Sequence, residues 1–150
     1  LDAVAAKGME FYEISNMAYP SFHSQHNSRY WQQKPYLGIG AGAHSYNGFN
    51  IRSWNIADLT QYMKGITQNS RIFEQETLSD DDRYNELIMT SLRTKKGIDL
   101  NQIEAKYLPH FTRKAQKYLQ NKVMVWANNR CFLTPKSWFI SDGIICDLMV

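Results

Sequence analysis

The residues best suited to chemistry lie in two short segments near the start of the chain. Residues 26–31 read His-Asn-Ser-Arg-Tyr-Trp, which places an imidazole beside an amide and two aromatic rings. An imidazole can ligate a metal, and flat rings around it suit a planar apolar ligand. Residues 36–45 form an apolar stretch with alternating glycines that ends in His44 and Ser45. Glycines spaced by two share one face of a strand, so another backbone or a flat ligand could approach that face.

Each segment also has a plain structural interpretation. His26 and Asn27 could hydrogen-bond a loop while Tyr30 and Trp31 pack in the interior. His44 could be a satisfied histidine where a strand ends. The glycines could serve close packing alone, so residue chemistry by itself leaves the site open.

Two further segments complete a recognisable pattern. Residues 12–18 read Tyr-Glu-Ile-Ser-Asn-Met-Ala, and residues 92–97 read Leu-Arg-Thr-Lys-Lys-Gly. Taken in order with residues 26–31 and 36–45, they resemble the oxygen-independent coproporphyrinogen III oxidase group of radical S-adenosylmethionine proteins, and most of all its haem-chaperone branch. The resemblance covers roughly residues 1–100 and fades over the last third.

The resemblance implies a porphyrin site around residue 26. It implies that haem is bound by His26, Asn27, Tyr30 and Trp31, with His26 as an axial ligand of the haem iron. The family often carries a basic residue just before the His-Asn pair, where this chain has Gln25, so a salt bridge from that position is not expected. His23 is expected to be an ordinary loop residue rather than a second ligand.

The resemblance also implies contacts with substrate or cofactor elsewhere. Met17 and Ala18 would lie against the adenosyl cofactor, because a small residue leaves room for the adenine face. The rim of the substrate or cofactor site would be lined by Gly40, Gly42, His44 and Ser45.

The cysteines do not match the family's iron–sulfur site. The family holds a [4Fe–4S] cluster with a Cys-x-x-x-Cys-x-x-Cys loop, whereas this chain has only Cys131 and Cys146. A cluster needs several thiolates close together. We therefore expect a C-terminal fragment that is not catalytic alone. Its parent would bind haem, S-adenosylmethionine and a [4Fe–4S] cluster, with the cluster ligands outside this chain. No role is assigned to the two cysteines.

Composition is typical of an intracellular globular chain. The 150 residues are 43% hydrophobic and carry a net charge of +3, too small to require nucleic acid or an acidic membrane as partner. No apolar run approaches the roughly 18 residues of a transmembrane helix, and no signal peptide is present. The expected location is the cytoplasm, with association at a membrane surface left open.

The expected fold class is α+β, with the last strands of an incomplete radical S-adenosylmethionine (β/α) barrel followed by a helical domain. Residues 1–54 would contribute the barrel strands and the His-Asn loop, and residues 55–150 the helical domain with a β-hairpin. In the first part we predict the end of a helix over 1–8 and a parallel-sheet strand over 10–16, followed by an irregular connection over 17–35. A glycine strand should then span 36–41, and an exposed strand should span 47–54 after an Asn-Gly turn. A helix capped by Asn55 is predicted over 56–66.

The second part predicts a winged-helix-like order of elements. A helix should begin at Ser79, because the carboxylates that follow favour its positive end. Further helices are predicted over 100–108, from an Asp99–Gln102 capping box, and over 110–121. A hairpin should turn at Asn128-Asn129, and a last helix should start at Thr134-Pro135.

Two other functions compete with the porphyrin interpretation. A winged-helix module could bind nucleic acid through a basic helix carrying Arg113, Lys114, Lys117 and Lys122. Acidic residues 80–82 in the same region and a hairpin with only Arg130 as a cation disfavour this. The other alternative is a structural cap with no ligand of its own.

The expected partners follow from the fragment interpretation. They are the missing N-terminal barrel of the same chain, haem or another porphyrin, and haem-acceptor proteins of unknown identity. A cut barrel leaves unpaired strand edges. We therefore expect residues 1–50 to be disordered, repacked or dimerised through those edges.

Overall fold

The chain folds as two compact units. The structure is a computed structural model that describes residues 2–150. Leu1–Gln32 together with Tyr84–Val150 form the first, here called the two-segment unit, and Gln33–Arg83 form the middle unit. Both contain helices and antiparallel strands, so the mixed α and β class is confirmed. The units are not divided after residue 54, where the sequence suggested a boundary.

The core of the two-segment unit lies in its second segment. Helices α4 (Asp80–Leu92, of which residues 84–92 belong to this unit), α5 (Leu108–Gln120) and α6 (Ser141–Leu148) accompany a three-stranded sheet. Apolar side chains from all three helices and from the sheet are fully buried, among them Ile88, Leu92, Ile98, Phe111, Cys131 and Leu148. This segment therefore builds its own hydrophobic interior.

The sheet of this unit contains the predicted hairpin. Strands β7 (Met124–Ala127) and β8 (Arg130–Leu133) pair antiparallel, and Asn128 and Asn129 adopt φ values of 51° and 59°. Adjacent asparagines tolerate the positive φ angles of such a turn, and the hairpin is confirmed. A third strand, β6 (Ile98–Asp99), pairs with β8 and was not predicted.

The predicted helix starts have mixed outcomes. Ser79 and Asp82 bond each other reciprocally: Ser79 Oγ accepts from Asp82 N at 3.1 Å, and Asp82 Oδ2 accepts from Ser79 N at 3.0 Å. The start of α4 is thus confirmed. The predicted helix over 100–108 is wrong, because Asp99 caps only a 3-10 turn (Leu100–Gln102), and α5 begins at Leu108. After Thr134 the chain forms a 3-10 helix (Pro135–Ile140) before α6.

The first segment of this unit is not a parallel sheet strand. Helix α1 (Asp2–Ala5) precedes β1 (Glu10–Phe11), which pairs antiparallel with β2 (Met17–Ala18). The predicted parallel strand over 10–16 is therefore wrong. Beyond β1, Ile14 N donates to Arg93 O and Lys95 N donates to Tyr12 O, both at 3.0 Å. These bonds join the two segments of the unit.

Part of the predicted irregular connection is a helix. Helix α2 spans Gln25–Trp31 and contains the whole His-Asn-x-x-Tyr-Trp motif. Ser24, which precedes the helix, is its capping residue. Residues 17 and 18 of the predicted connection form β2, and the residues between β2 and α2 and after α2 are irregular. The motif is therefore presented by a helical backbone and not by a loop.

The middle unit is built on an antiparallel sheet. Strands β3 (His44–Tyr46), β4 (Ile51–Asn55) and β5 (Phe73–Thr77) lie in the order β3-β4-β5. The strand after the Asn-Gly turn is confirmed as β4, but it is the largely half-buried central strand of the sheet and not an exposed one. Asn47 Oδ1 accepts the backbone N–H groups of residues 49–51 within the turn. Helix α3 (Leu59–Thr67) follows β4.

The predicted glycine strand over 36–41 is wrong. The segment makes a single bridge, Tyr36 with Tyr46, and then turns through Gly40 at φ 115° and Gly42 at φ 69°. Strands require continuous pairing, and positive φ angles interrupt it.

The predicted cap of α3 is also wrong. Asn55 is buried, and its side chain holds the glycine segment: Nδ2 donates to Gly40 O at 2.8 Å, and Oδ1 accepts from Arg71 Nε at 2.7 Å. The cap of α3 is Asp58, whose Oδ1 accepts from Gln61 N at 2.8 Å.

Candidate functional site

Helix α2 explains the spacing of the His-Asn-x-x-Tyr-Trp motif. Residues four apart lie on the same face of a helix, so His26 lies with Tyr30, and Asn27 lies with Trp31. The first pair is exposed and the second is half-buried. The Tyr30 and Trp31 rings meet edge to face, with centroids 5.5 Å apart. The motif thus presents an imidazole and a phenol to solvent above a partly buried amide and indole.

The imidazole of His26 has no hydrogen-bond partner within residues 2–150. Both of its ring nitrogens are therefore available to a ligand. The indole Nε1 of Trp31 is buried and has no partner in the same range. A buried N–H group without an acceptor is costly, so this indole is a donor that a carboxylate or water could satisfy.

The start of α2 is fixed by Ser24. Its Oγ accepts from Asn27 N at 3.2 Å, and its carbonyl accepts from Ser28 N at 2.9 Å. Serine is among the residues preferred at this position. This cap was the signal in the sequence that could have identified the helix.

The predicted cofactor residues Met17 and Ala18 lie in the same unit as α2. They form β2, where Ala18 stands opposite Glu10 and Met17 stands opposite Phe11. The Met17 side chain is exposed and Ala18 is half-buried. An apolar thioether and a small methyl group are therefore presented by a paired backbone.

The predicted rim residues belong to the middle unit. Ser45 is buried, and its Oγ accepts from Gly38 N at 3.0 Å. Gly40 N donates to Tyr62 OH at 3.1 Å. Hence Ser45 and Gly40 hold the local backbone. His44 is exposed, with its ring 5.8 Å from that of Trp54 on the paired strand, and is the polar group here that remains accessible.

Sequence reasoning missed a second histidine cluster in the two-segment unit. His23 Nε2 lies 3.1 Å from Glu10 Oε1, and Glu10 Oε2 lies 2.6 Å from Lys95 Nζ. The His23 ring stacks on Tyr12 with centroids 4.4 Å apart and planes 14° from parallel. Hydrogen bonds from Lys95 and then His23 lower the pKa of Glu10. His23 is thus held in place, in contrast to His26.

Comparison with known proteins gives the relationship. Residues 78–140 match the family model of the HemN C-terminal domain. This part of the chain is similar to the HemN C-terminal domain. The heme chaperone HemW of Lactococcus lactis is 30% identical over 148 residues, covering 96% of this chain and 38% of the relative. The heme chaperone HemW of Mycobacterium tuberculosis is 28% identical over 149 residues, covering 97% of this chain and 36% of the relative.

A solved structure extends the likeness to the fold. Coproporphyrinogen III oxidase (HemN) from Escherichia coli, described as a radical SAM enzyme, matches with a TM-score of 0.70 over 99% of this chain and 39% of that chain, at 16% identity. The resemblance to the coproporphyrinogen III oxidase-like radical S-adenosylmethionine proteins and their haem-chaperone branch is therefore confirmed. The chain spans less than two fifths of the length of these relatives.

The two cysteines, of which Cys131 lies within the matched residues 78–140, do not fit an iron–sulfur cluster. Cys131 is buried within the domain core, and burial raises the pKa of its thiol to about 12, whereas Cys146 is exposed. Thiolates are the cluster ligands. Within residues 2–150, no group of three or more histidine, cysteine, aspartate or glutamate side chains is placed to hold a metal ion.

The positive charge of helix α5 is partly neutralised. Lys114 and Lys117 both bond Asp147, at 3.2 and 2.9 Å, and these bonds hold the pKa of Asp147 at about 2. Arg130 is occupied by the Gly97 and Lys96 carbonyls. These three cations already bond groups of the same chain, which argues against a phosphate-binding face.

Among residues 2–150 no helix is long and apolar enough to cross a membrane.

Proposed function

We propose that this chain is the C-terminal part of a haem-handling radical S-adenosylmethionine protein of the chaperone type, and that His26 ligates haem iron. The observation that supports this most directly is the exposed His26–Tyr30 face of α2. Its imidazole has no competing hydrogen bond, and its neighbours are aromatic. The named relatives are heme chaperones, which agrees with a porphyrin as ligand.

The residues of α2 would divide the work of binding. His26 would offer a ring nitrogen to the iron, and haem supplies the open coordination position. Tyr30, on the same face, would contact the porphyrin edge, because an aromatic ring packs well on a flat apolar surface. Trp31 would donate its unpartnered indole N–H to a propionate of the bound haem. Asn27 would supply an amide beside it.

The remaining cofactors are proposed for the parent protein only. Met17 and Ala18 would lie against S-adenosylmethionine. Gly40, Gly42, His44 and Ser45 would line the rim of a substrate or cofactor site. The ligands of the [4Fe–4S] cluster would come from outside this chain, since its two cysteines do not fit the role. We propose that the chain is not catalytic by itself and that the parent passes haem to acceptor proteins.

A partner strand is proposed for the glycine segment. The backbone groups of Gly38 and Gly40 are bonded by Ser45, Tyr62 and Asn55, whereas those of Leu37 and Ile39 make no hydrogen bond within residues 2–150. The side chains of Leu37 and Ile39 are 72% and 84% exposed. Such an edge favours pairing with another strand, and we propose barrel strands of the parent as that partner, with dimerisation when they are missing.

Residues 84–150 support a second, structural role. Many of their apolar side chains form one buried core, and Lys114 and Lys117 bond Asp147 within the same region. We propose that this part of the chain covers the barrel and carries no ligand of its own. A nucleic-acid-binding role is the less favoured alternative for the same reason.

A haemin titration tests the ligand assignment. The wild-type chain is compared with His26→Gln, and with His110→Gln as a matched control, because His110 bonds Met149 O away from α2. We expect a saturable shift of the Soret band in the wild type and the control, and its loss in His26→Gln. Equal binding by all three chains would remove His26 from the site. Absence of binding by the wild-type chain would overturn the proposal that these residues bind haem unaided.

A further inference from the structure

We propose that His23 is a positioning residue for His26, acting through the start of helix α2. This inference rests on the proposed haem site. Histidine ligands are ordinarily oriented by a hydrogen bond from their second ring nitrogen to a carboxylate, carbonyl or water. His26 has no such bond within residues 2–150. Its orientation must therefore come from the backbone that carries it.

That backbone is short and depends on its first turn. Helix α2 has seven residues, and an isolated helix of that length is unstable in water. Its capping residue, Ser24, bonds the amide groups of Asn27 and Ser28. His26 lies between the cap and those amides. Displacement of Ser24 would therefore move the imidazole of His26 directly.

The residue before the cap is His23, whose ring is fixed by two independent contacts. A carboxylate only accepts hydrogen bonds, so Nε2 of His23 donates to Glu10 Oε1 across 3.1 Å. The stack on Tyr12, with planes 14° from parallel, fixes the tilt of the ring. Both partners lie in or beside β1, so these contacts tie the α2 start to a paired strand.

The carboxylate is itself held. Glu10 is paired with Ala18 across β1 and β2, and its second oxygen accepts from Lys95 Nζ at 2.6 Å. Lys95 follows residue 94, which bridges Glu13 across the two segments of the unit. Thus a chain of contacts runs from the second segment through Lys95, Glu10 and His23 to the cap of α2. Of these three side chains, His23 is the nearest in sequence to His26, the proposed iron ligand.

The test combines two readouts on one set of variants. His23→Ala, Glu10→Ala and the double variant remove the tie, and His23→Gln keeps a side-chain N–H donor for Glu10. His110→Gln serves as the matched control. The first readout is amide hydrogen exchange at Asn27 and Ser28 in the absence of haem. The second is haemin affinity, with the absorbance spectrum of the saturated complex.

We expect exchange at both amides to accelerate about tenfold in His23→Ala and in Glu10→Ala, with the double variant no worse than either single change, because residues in one network are not additive. Haemin affinity should fall about tenfold, the size typical of a lost orienting contact. The saturated spectrum should stay unchanged, and His23→Gln should recover most of both losses.

Three results would overturn the inference. Unchanged amide exchange in His23→Ala would mean that the contacts do not hold α2. Complete loss of the Soret shift in His23→Ala, as expected for His26→Gln, would make His23 an iron ligand instead. Additive losses in the double variant would mean that Glu10 and His23 act separately. Because the exchange readout needs no haem, it decides the positioning role even if the wild-type chain fails to bind haemin.

Discussion

The second segment of the two-segment unit and the middle unit distribute their apolar side chains in opposite ways. Residues 84–150 bury large side chains such as Phe111, Ile88 and Leu148 completely. The middle unit leaves Leu37, Ile39, Leu59 and Met63 mostly exposed. Both contain helices and antiparallel strands. The two regions therefore differ in how much apolar side-chain surface they leave uncovered.

This contrast indicates that residues 84–150 are stabilised by a large core of their own and that the middle unit has a much smaller one. Burial of apolar surface is the main favourable contribution to folding, at about 25 cal/mol per Å². Exposed apolar side chains contribute little of it, and a large exposed patch marks an interaction site. The middle unit instead relies on side-chain hydrogen bonds, such as those from Asn55 to the glycine segment.

The largest predicted effect is the loss of a core ring. Phe111→Ala should lower the free energy of unfolding by about 3–5 kcal/mol, because it removes buried surface and leaves a cavity. Urea unfolding followed by circular dichroism measures this change. Phe139→Ala is the matched control, since that ring is 98% exposed, and it should stay within about 0.5 kcal/mol of the wild type. Equal losses in both variants would remove the proposed difference between core and surface.

An intermediate effect should come from pH. The hydrogen bond from Lys117, then those from Lys114 and Tyr118, hold the pKa of Asp147 at about 2, below its ordinary value of 3.8. Its contribution to stability is therefore complete above the ordinary value and is lost as the pH falls toward 2. The urea midpoint should drop over that window more in the wild type than in Asp147→Asn.

The smallest predicted effect is in the middle unit. Ile39→Ser and Leu37→Ser should change the free energy of unfolding by no more than about 0.5 kcal/mol, because each removes an exposed side chain. Ile88→Ser, the same change at a buried position, should destabilise the chain severely. Size-exclusion chromatography of the two surface variants should show less self-association than the wild type. A stability loss matching that of Ile88→Ser would contradict the contrast.

The features that could be predicted from the sequence are those whose cause is local. The helix start at Ser79 and the turn at Asn128-Asn129 each depend on side chains within a few positions, so both were predicted correctly. Helix α2 was not predicted, because seven residues carry little periodic signal, although its capping residue Ser24 is a recognisable helix-start signal in the sequence. Recognition of the family did not reveal that the motif is helical.

The wrong predictions concern elements that are decided at a distance. Whether residues 10–16 and 36–41 form strands depends on a partner strand, which the sequence of the segment does not contain. Asn55 and Asp58 both have helix-capping side chains, and the choice between them depends on the carbonyls of Gly38 and Gly40. The contact between Glu10 and His23 was missed for the same reason, because the two residues meet only when the loop that carries His23 returns to β1.

The bonds from residues 12–14 to residues 93–95 have a consequence for synthesis of the chain. Residue 14 leaves the ribosome well before its partners exist. At about 5–20 residues per second, the roughly eighty residues between them require several seconds. During that interval the first segment, including His26, has no second segment to fold against, while the middle unit is completed. The nascent chain therefore exposes its proposed haem-binding helix before the region that fixes it has been made.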